Sequence, residues 1–250
     1  MRIDTPCASH IPALWKLWQE AFGDEDAFLE GFFQNANAAC RCVMENDRPV
    51  AMLYWLDYHW EGGRLAYIYG VATAKSHQKR GLCRKLMADT LAHLKENGYC
   101  GAALVPADES LRQFYGTMGF ANGWGYRKVT ALRGQTAAGL EPLSPGEYLM
   151  RYRNIALKGS PVLSEKHSAF LQQCAALYGG EDFLLAASRE PGEVLMGDFF
   201  GNPEVIPGIL QALHKEKAEL RMPGDETPHA MYCIWTGKME ISGFFAPVFD

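Results

Sequence analysis

A chain of 250 residues that is 48% hydrophobic and 21% charged has the balance of a globular protein with a full apolar core, which excludes a disordered or fibrous chain. Its net charge of -5 provides no basic field, so nucleic acid and membrane surfaces drop out as partners and any anion must be held locally. The length suits one large domain or two modest ones. Seven scattered cysteines, with no Cys-x-x-Cys pair and no histidine at ligand spacing, read as reduced thiols and predict no metal site. No apolar run approaches the 18 or so residues that span a bilayer, and the N-terminus lacks a secretory pattern. The expected location is cytoplasmic.

Arg2–Thr5 reads as a short strand. Ile11, Leu14, Trp15, Leu17, Trp18 and Phe22 form the apolar face of a first helix, opened near Pro12 and stopped by Gly23. A second helix is predicted over Asp24–Gln34, with Asp24 as its cap and Phe28, Leu29, Phe32 and Phe33 as its stripe. Three β-like runs, Ala38–Glu45, Val50–Tyr58 and Arg64–Thr73, are separated by turn-forming residues and predict an antiparallel meander. The period then becomes helical, with Leu82, Leu86, Met87, Leu91 and Leu94 on one side of Arg80–Asn97 and Gly98 at its end. A strand at Gly101–Val105, a helix at Glu109–Met118 and a strand at Trp124–Leu132 complete a parallel crossover joined to the meander. The class is therefore α/β or mixed α+β.

Residues 133–145, rich in Gly and Pro, read as a linker. Beyond it the pattern predicts a strand near Glu147–Arg153, a helix at Ser164–Leu177, and strands at Phe183–Ala187 and Val194–Phe200. A helix at Glu204–Lys217, a strand at Ala218–Met222, and β-like segments at Ala230–Trp235 and Ile241–Phe249 follow. The expected division is a domain over 1–132, a linker over 133–145 and a smaller α/β domain over 146–250.

The chemistry concentrates where Tyr67-Ile-Tyr-Gly-Val-Ala-Thr73 is followed by Gln78-Lys-Arg-Gly-Leu-Cys-Arg84. A strand gives way to a polar loop and then to a glycine turn opening a helix, so unpaired N–H groups and the positive end of the helix dipole converge. Lys79, Arg80 and Arg84 add local charge, and Gly81 leaves the main chain open to an anion. An ordinary helix start shares these features. Neither a P-loop nor a dinucleotide fingerprint is present.

Gln78-Lys-Arg-Gly81-Leu-Cys83 resembles the acyl-CoA loop of the GCN5-related N-acetyltransferase (GNAT) family, Gln/Arg-x-x-Gly-x-Gly/Ala, with Cys83 in the last small position. Phe114-Tyr115-Gly-Thr-Met-Gly119-Phe120 is similar to that family's Phe-Tyr-x-x-x-Gly-Phe element. The resemblance covers residues 1–132 and implies a GNAT fold, a central mixed sheet flanked by helices. It also implies acetyl-CoA as acyl donor and the primary amine of a small molecule or peptide as acceptor. By the same resemblance Val71, Ala72 and Thr73 run beside the pantetheine arm, with Gly70 as a bulge and the Val71 backbone donating to the thioester carbonyl. Gln78, Lys79, Arg80, Gly81, Leu82, Cys83 and Arg84 hold the pyrophosphate, and Tyr115 protonates the departing thiolate. A tyrosine packed in the core is the competing reading of Tyr115. Cys83 adds bulk to the cradle and is expected either to weaken binding or to make the site sensitive to thiol oxidation. No motif assigns the general base: Asp57, His59 and Glu61 cluster at one strand end, Glu45 ends its neighbour and His77 precedes the cradle. Each reads more readily as a solvated strand-end charge than as a base.

The second half resembles a degenerate, partial GNAT-like unit. It lacks both motifs, and Phe200-Gly-Asn-Pro203 stands where the cradle would be, so it is expected to hold no CoA and instead to shape the acceptor pocket. Phe244, Phe245 and Phe249 read as a buried strand, and an approach of the Asp250 carboxylate to the active site is left open. The implied function is acetyl transfer by direct amine attack in a ternary complex, in a monomer or homodimer. The alternative is a non-catalytic acyl-CoA sensor or partner-interaction module.

Overall fold

Alternating and aromatic-rich runs become long strands because their side chains find apolar partners on both faces of a sheet. The computed structural model, which describes residues 1–189, 192–236 and 241–246, resolves into two units. The first comprises Met1–Ala121 and the segment beginning at Met231, and the second comprises Asn122–Ala230 and the segment from residue 241 onward.

In the first unit the elements run β1 (Arg2–Asp4), α1 (Ile11–Phe22), α2 (Asp26–Asn35), β2 (Ala39–Glu45), β3 (Arg48–Trp60) and β4 (Gly63–Thr73). They continue with α3 (Leu82–Glu96), β5 (Tyr99–Leu104) and α4 (Glu109–Gly116). The sheet order is β1-β2-β3-β4-β5, then the strand Met231–Ile234. β4 and β5 are parallel, joined by the crossover helix α3, and the remaining pairs are antiparallel. One face of β3–β5 buries Leu53, Trp55, Ala66 and Ala102 with Leu82, Leu86, Met87 and Leu94 of α3. Toward α1 and α2, Trp18 and Phe32 pack on Tyr54 and Tyr69, with ring centroids 5.1–5.9 Å apart. Asp24 does not cap α2. Its Oδ2 accepts a 2.7 Å bond from Trp18 Nε1, because a buried indole N–H must be paired, and Glu25 takes the cap position without a side-chain bond.

The second unit carries its own mixed sheet, ordered Thr227–Pro228, Gly125–Leu132, Lys217–Pro223, Val194–Phe200, Leu184–Ser188, Ala175–Gly179 and Glu141–Pro142. Two strands thus depart from their expected places. Gly125–Leu132 pairs antiparallel with Lys217–Pro223 rather than closing the first sheet, and Met231–Ile234 takes the position beside β5 instead. Strands adjacent in sequence are neighbours in space only about two-thirds of the time. The units therefore divide after residue 121, and the first is completed by a segment that begins more than a hundred residues later, at Met231.

Residues 133–145 are anchored chain rather than a free linker. Arg133, Gly134 and Ala138 donate to the carbonyls of Glu216, Pro207 and Gly208, and Glu141–Pro142 is a strand. The predicted strand near Glu147–Arg153 is a helix, Pro145–Ile155. Ser144 and Glu147 form a capping box, Pro145 occupies the first turn, and buried Tyr148, Leu149 and Tyr152 fall at helical spacing. The helix read over Ser164–Leu177 covers Ser168–Cys174 and yields to the alternating strand Ala175–Gly179. That over Glu204–Lys217 is a 3-10 turn, Pro203–Val205, followed by Ile206–Ala212. Phe244 and Phe245 are buried, though residues 241–246 form no strand. Phe249 and Asp250 lie outside the described residues. Among the described residues no helix is long and apolar enough to cross a membrane.

Asp198 is fully buried in this second core and receives both Nε and Nη2 of Arg221, at 2.7 and 3.2 Å. Burial raises its pKa, and Arg221 opposes the shift. Asp198→Asn removes the buried negative charge that faces Arg221 and should cost about 3 kcal/mol of stability, measurable as a lower urea midpoint.

Candidate active site

The site begins with an irregularity in β4. Met52 pairs with Ala72 and Tyr54 with Tyr69, so β4 carries one extra residue between these positions. Gly70 lies there at φ +57, and a Cβ on it would stand 2.7–2.8 Å from the Trp18 ring and 3.3 Å from Tyr54. Only glycine accepts both that backbone and that contact. Pairing with β5 covers Arg64–Tyr67 of β4 and ends there, although β4 continues to Thr73. Among the described residues, the edge from Ile68 to Thr73 has no strand partner on the β5 side. Val71 packs against the core at this point, Ala72 is buried, and Thr73 Oγ1 is a buried hydroxyl without a hydrogen-bond partner.

The loop after β4 is pinned at its base. Ala74 donates to Val50 O at 2.9 Å, Lys75 N–H to Glu20 Oε1 at 2.6 Å, and Gln78 Nε2 to Thr73 O at 3.3 Å. Lys79 (φ +62) and Gly81 (φ +73) both adopt left-handed backbone, giving a concave turn of the kind that gathers N–H groups. Gly81 is the N-cap of α3 and supplies no side-chain cap, so the opening N–H groups of α3 (Leu82, Cys83, Arg84) precede the first intrahelical bond, from Lys85 to Gly81 O. A Cβ at Gly81 would meet nothing within 4 Å, so its surroundings are open. Arg80 Nη2 donates to Ser76 O at 2.9 Å. Arg84 is turned to Thr117, its Nη1 donating to Thr117 Oγ1 at 2.8 Å.

α4 brings in Tyr115. Asp108 caps this helix by accepting from Leu111 N–H at 2.8 Å. Tyr115 is 7% exposed, flanked by Phe114 and Phe120 with ring centroids 5.6 and 6.0 Å away. Both readings of this residue meet here, since the ring is in the core while its hydroxyl has no hydrogen-bond partner among the described residues. Burial raises its pKa well above the ordinary phenol range, and the neighbouring Cys83 adds to the shift. Burial also pushes the Cys83 thiol up to about 11, against a lowering influence of Arg84.

The base candidates fall away from this constellation or are engaged elsewhere. Asp57 accepts the Tyr99 hydroxyl at 2.7 Å, and that hydroxyl accepts from Trp55 Nε1 at 3.3 Å. His59 pairs with Arg64 and Glu61 lies in the β3–β4 turn, at the end of β4 remote from Gly70. His77 is held at both nitrogens, 2.7 Å from Glu45 Oε2 and 2.8 Å from Ser76 Oγ, which removes it from the cradle. The hydrogen bond to His77 lowers the pKa of Glu45. Two contributors escaped sequence reasoning. Trp18 reads as an ordinary core residue, and Thr117 carries no motif signal. A glycine interrupting the aromatic run Tyr67-Ile-Tyr-Gly70 was the one hint of a close neighbour.

Residues 2–123, just under half of the chain, match the acetyltransferase (GNAT) domain family. The N-terminal half is GNAT-like. Among solved structures, the chain is similar to a GCN5-related N-acetyltransferase from Kribbella flavida, with a TM-score of 0.69 and 16% identity over 92% of this chain and 70% of that one. A GCN5-related N-acetyltransferase from Anabaena variabilis gives 0.69 and 17% over 93% and 73%. Eis1 from Mycobacterium abscessus gives 0.67 and 12% over 94% and 74%. At these identities the likeness is one of fold. No curated protein matches the sequence.

The second unit offers a contrast to the GNAT-like half. Its parallel pair stays hydrogen-bonded from Val194↔Lys217 through Asp198↔Arg221, with no comparable open edge among the described residues. At the following turn Asn202 accepts from Glu204 N–H at 3.1 Å, occupying a donor that the GNAT-like half leaves free.

Gly70→Ala should destabilise the chain by about 2 kcal/mol through left-handed strain and the displaced Trp18 ring, read from urea unfolding. With its thiol near 11, Cys83 should alkylate with iodoacetamide at pH 7.5 about a hundredfold more slowly than an exposed thiol. Mass spectrometry of the modified peptide measures this. An ordinary rate would restore the oxidation-sensitive cradle expected from sequence.

Proposed function

We propose that the protein is an acetyl-CoA-dependent N-acetyltransferase whose acceptor is a primary amine of a small molecule or peptide. The observation that carries this reading is the meeting of three features. They are the β4 edge from Ile68 to Thr73 with no strand on the β5 side, the uncapped start of α3 at Gly81, and the Tyr115 hydroxyl without a hydrogen-bond partner among the described residues. The residues present fit the donor. The orphaned Thr73 hydroxyl and the open edge suit an extended amide-bearing arm, and the Lys79–Gly81 turn suits a pyrophosphate.

Acetyl-CoA, when bound, supplies an activated acetyl thioester. Val71, Ala72 and Thr73 present main-chain groups along the arm, and the Val71 N–H is the donor assigned to the thioester oxygen. Gln78 steadies the loop through Thr73 O, while Lys79, Arg80, Gly81, Leu82, Cys83 and the Arg84 main chain enclose the pyrophosphate. The amine nitrogen passes a proton to water as it forms the new bond to the acetyl carbon and the carbon–sulfur bond breaks, and the proton that Tyr115 gives up is restored from the same solvent. Tyr115 gives its hydroxyl proton to the departing sulfur. Its raised pKa keeps that proton in place throughout the neutral range, which excludes a phenolate base and also makes the phenol a weaker donor than an ordinary tyrosine. The second half serves as a degenerate GNAT-like unit without a donor site, supported by its unbroken parallel pairing and its Asn202 cap.

Tyr115→Phe is expected to lower kcat by about a hundredfold while calorimetric acetyl-CoA affinity stays within about twofold. Loss of affinity with kcat preserved would move Tyr115 from acid to packing residue. Wild-type binding without turnover on any amine would favour a sensor. Because the phenol is held protonated, the pH profile of kcat should show no descending limb from Tyr115 below about pH 10. An alkaline limb that vanishes in Tyr115→Phe would contradict that assignment.

A further inference from the structure

Arg84 occupies the first turn of α3, where the helix dipole disfavours a cation by about 0.3–1 kcal/mol. A cation in such a place either faces an anionic ligand or answers a charge on another element. Its guanidinium carbon lies 5.2 Å above the centre of the Phe114 ring. Nη1 donates to Thr117 Oγ1 at 2.8 Å and lies 3.5 Å from the Thr117 carbonyl oxygen. Thr117 is the C-cap of α4, and its hydroxyl donates onward to Phe114 O at 2.6 Å. The cation misplaced for its own helix therefore sits at the negative end of another, where it is favourable. α4 has only eight residues, too few to be stable alone. Asp108 fixes its first turn and Arg84 its last.

We propose that Arg84 is a positioning residue, clamping the last turn of α4 to the first turn of α3 so that Tyr115 is held in register with the cradle, and that its side chain does not hold phosphate. The proposal rests on the acetyltransferase reading for its catalytic consequence. Phe114, under the guanidinium, immediately precedes Tyr115, so release of this turn lets the hydroxyl drift while leaving the α3 N–H groups in place. Small misplacements of a reacting group are costly in rate.

The test uses the full chain with Arg84→Met and, as a milder variant, Thr117→Val, which removes only the hydroxyl partner. Each is expected to lower kcat by about tenfold with acetyl-CoA Kd within about twofold and its salt dependence unchanged. The double variant should be no worse than Arg84→Met, as for two ends of one interaction. Hydrogen exchange at the amides of residues 111–118 should quicken in both. A tenfold weaker Kd with kcat intact would overturn the proposal and make Arg84 a phosphate ligand. If the wild type neither binds nor turns over acetyl-CoA, the acetyltransferase reading falls separately. Exchange then decides the clamp alone, and unchanged protection of α4 in both variants overturns it.

Discussion

The contact between the Trp18 ring and the bare Cα of Gly70 is the constraint from which the site follows. The indole is anchored on its other side by Asp24 and packed among Phe32, Tyr54 and Tyr69, so it has little room to yield. β4 must therefore bulge where it passes Trp18, and the bulge sits in the stretch from Ile68 to Thr73 that no longer pairs with β5. An edge with free N–H and C=O groups inside a sheet is costly unless something completes it. In the second unit the equivalent parallel pair stays zipped, and the buried Asp198–Arg221 pair bridges the two strands.

Electrostatics around the cradle depend on backbone more than on side-chain charge. The chain carries a net charge of -5, and two of the three cations read from the motif donate to protein oxygens, Arg80 to Ser76 and Arg84 to Thr117. The left-handed turn at Lys79 and Gly81 and the uncapped first turn of α3 are what remain for an anion. Burial acts alongside, holding Tyr115 and Cys83 in their protonated forms, so the site presents neutral donors rather than a thiolate or phenolate.

Local patterning made the β2–β4 meander and α3 readable, because turn residues and a clean change of period mark their ends. The Gly70 bulge was readable for a related reason, since a glycine within an aromatic strand is an anomaly that needs a neighbour. Ser144-Pro-Gly-Glu147 carries a capping box, yet the apolar residues after it also fit a strand pattern. The exchange of Gly125–Leu132 for Met231–Ile234 was out of reach, because both segments are good strands and nothing local specifies their partners. In the site, motif spacing pointed to Tyr115 and Gly81, whereas Trp18 and Thr117 act through contacts with residues 52 and 33 positions away in sequence.

The strand Met231–Ile234 has a bearing on how the chain comes to be folded. It lies so tightly on β5 that a Cβ at Gly101 would fall 2.7 Å from Cys233 O, and Met231 through Ile234 pair with Leu104 through Gly101. A ribosome making this chain delivers those four residues more than a hundred positions after β5. Throughout that interval β5 waits with an apolar strand edge uncovered, the kind of template on which chains add to one another. The first unit is therefore the earlier to begin but stays incomplete until Met231–Ile234 emerges, and nascent-chain aggregation should concentrate on β5 until then.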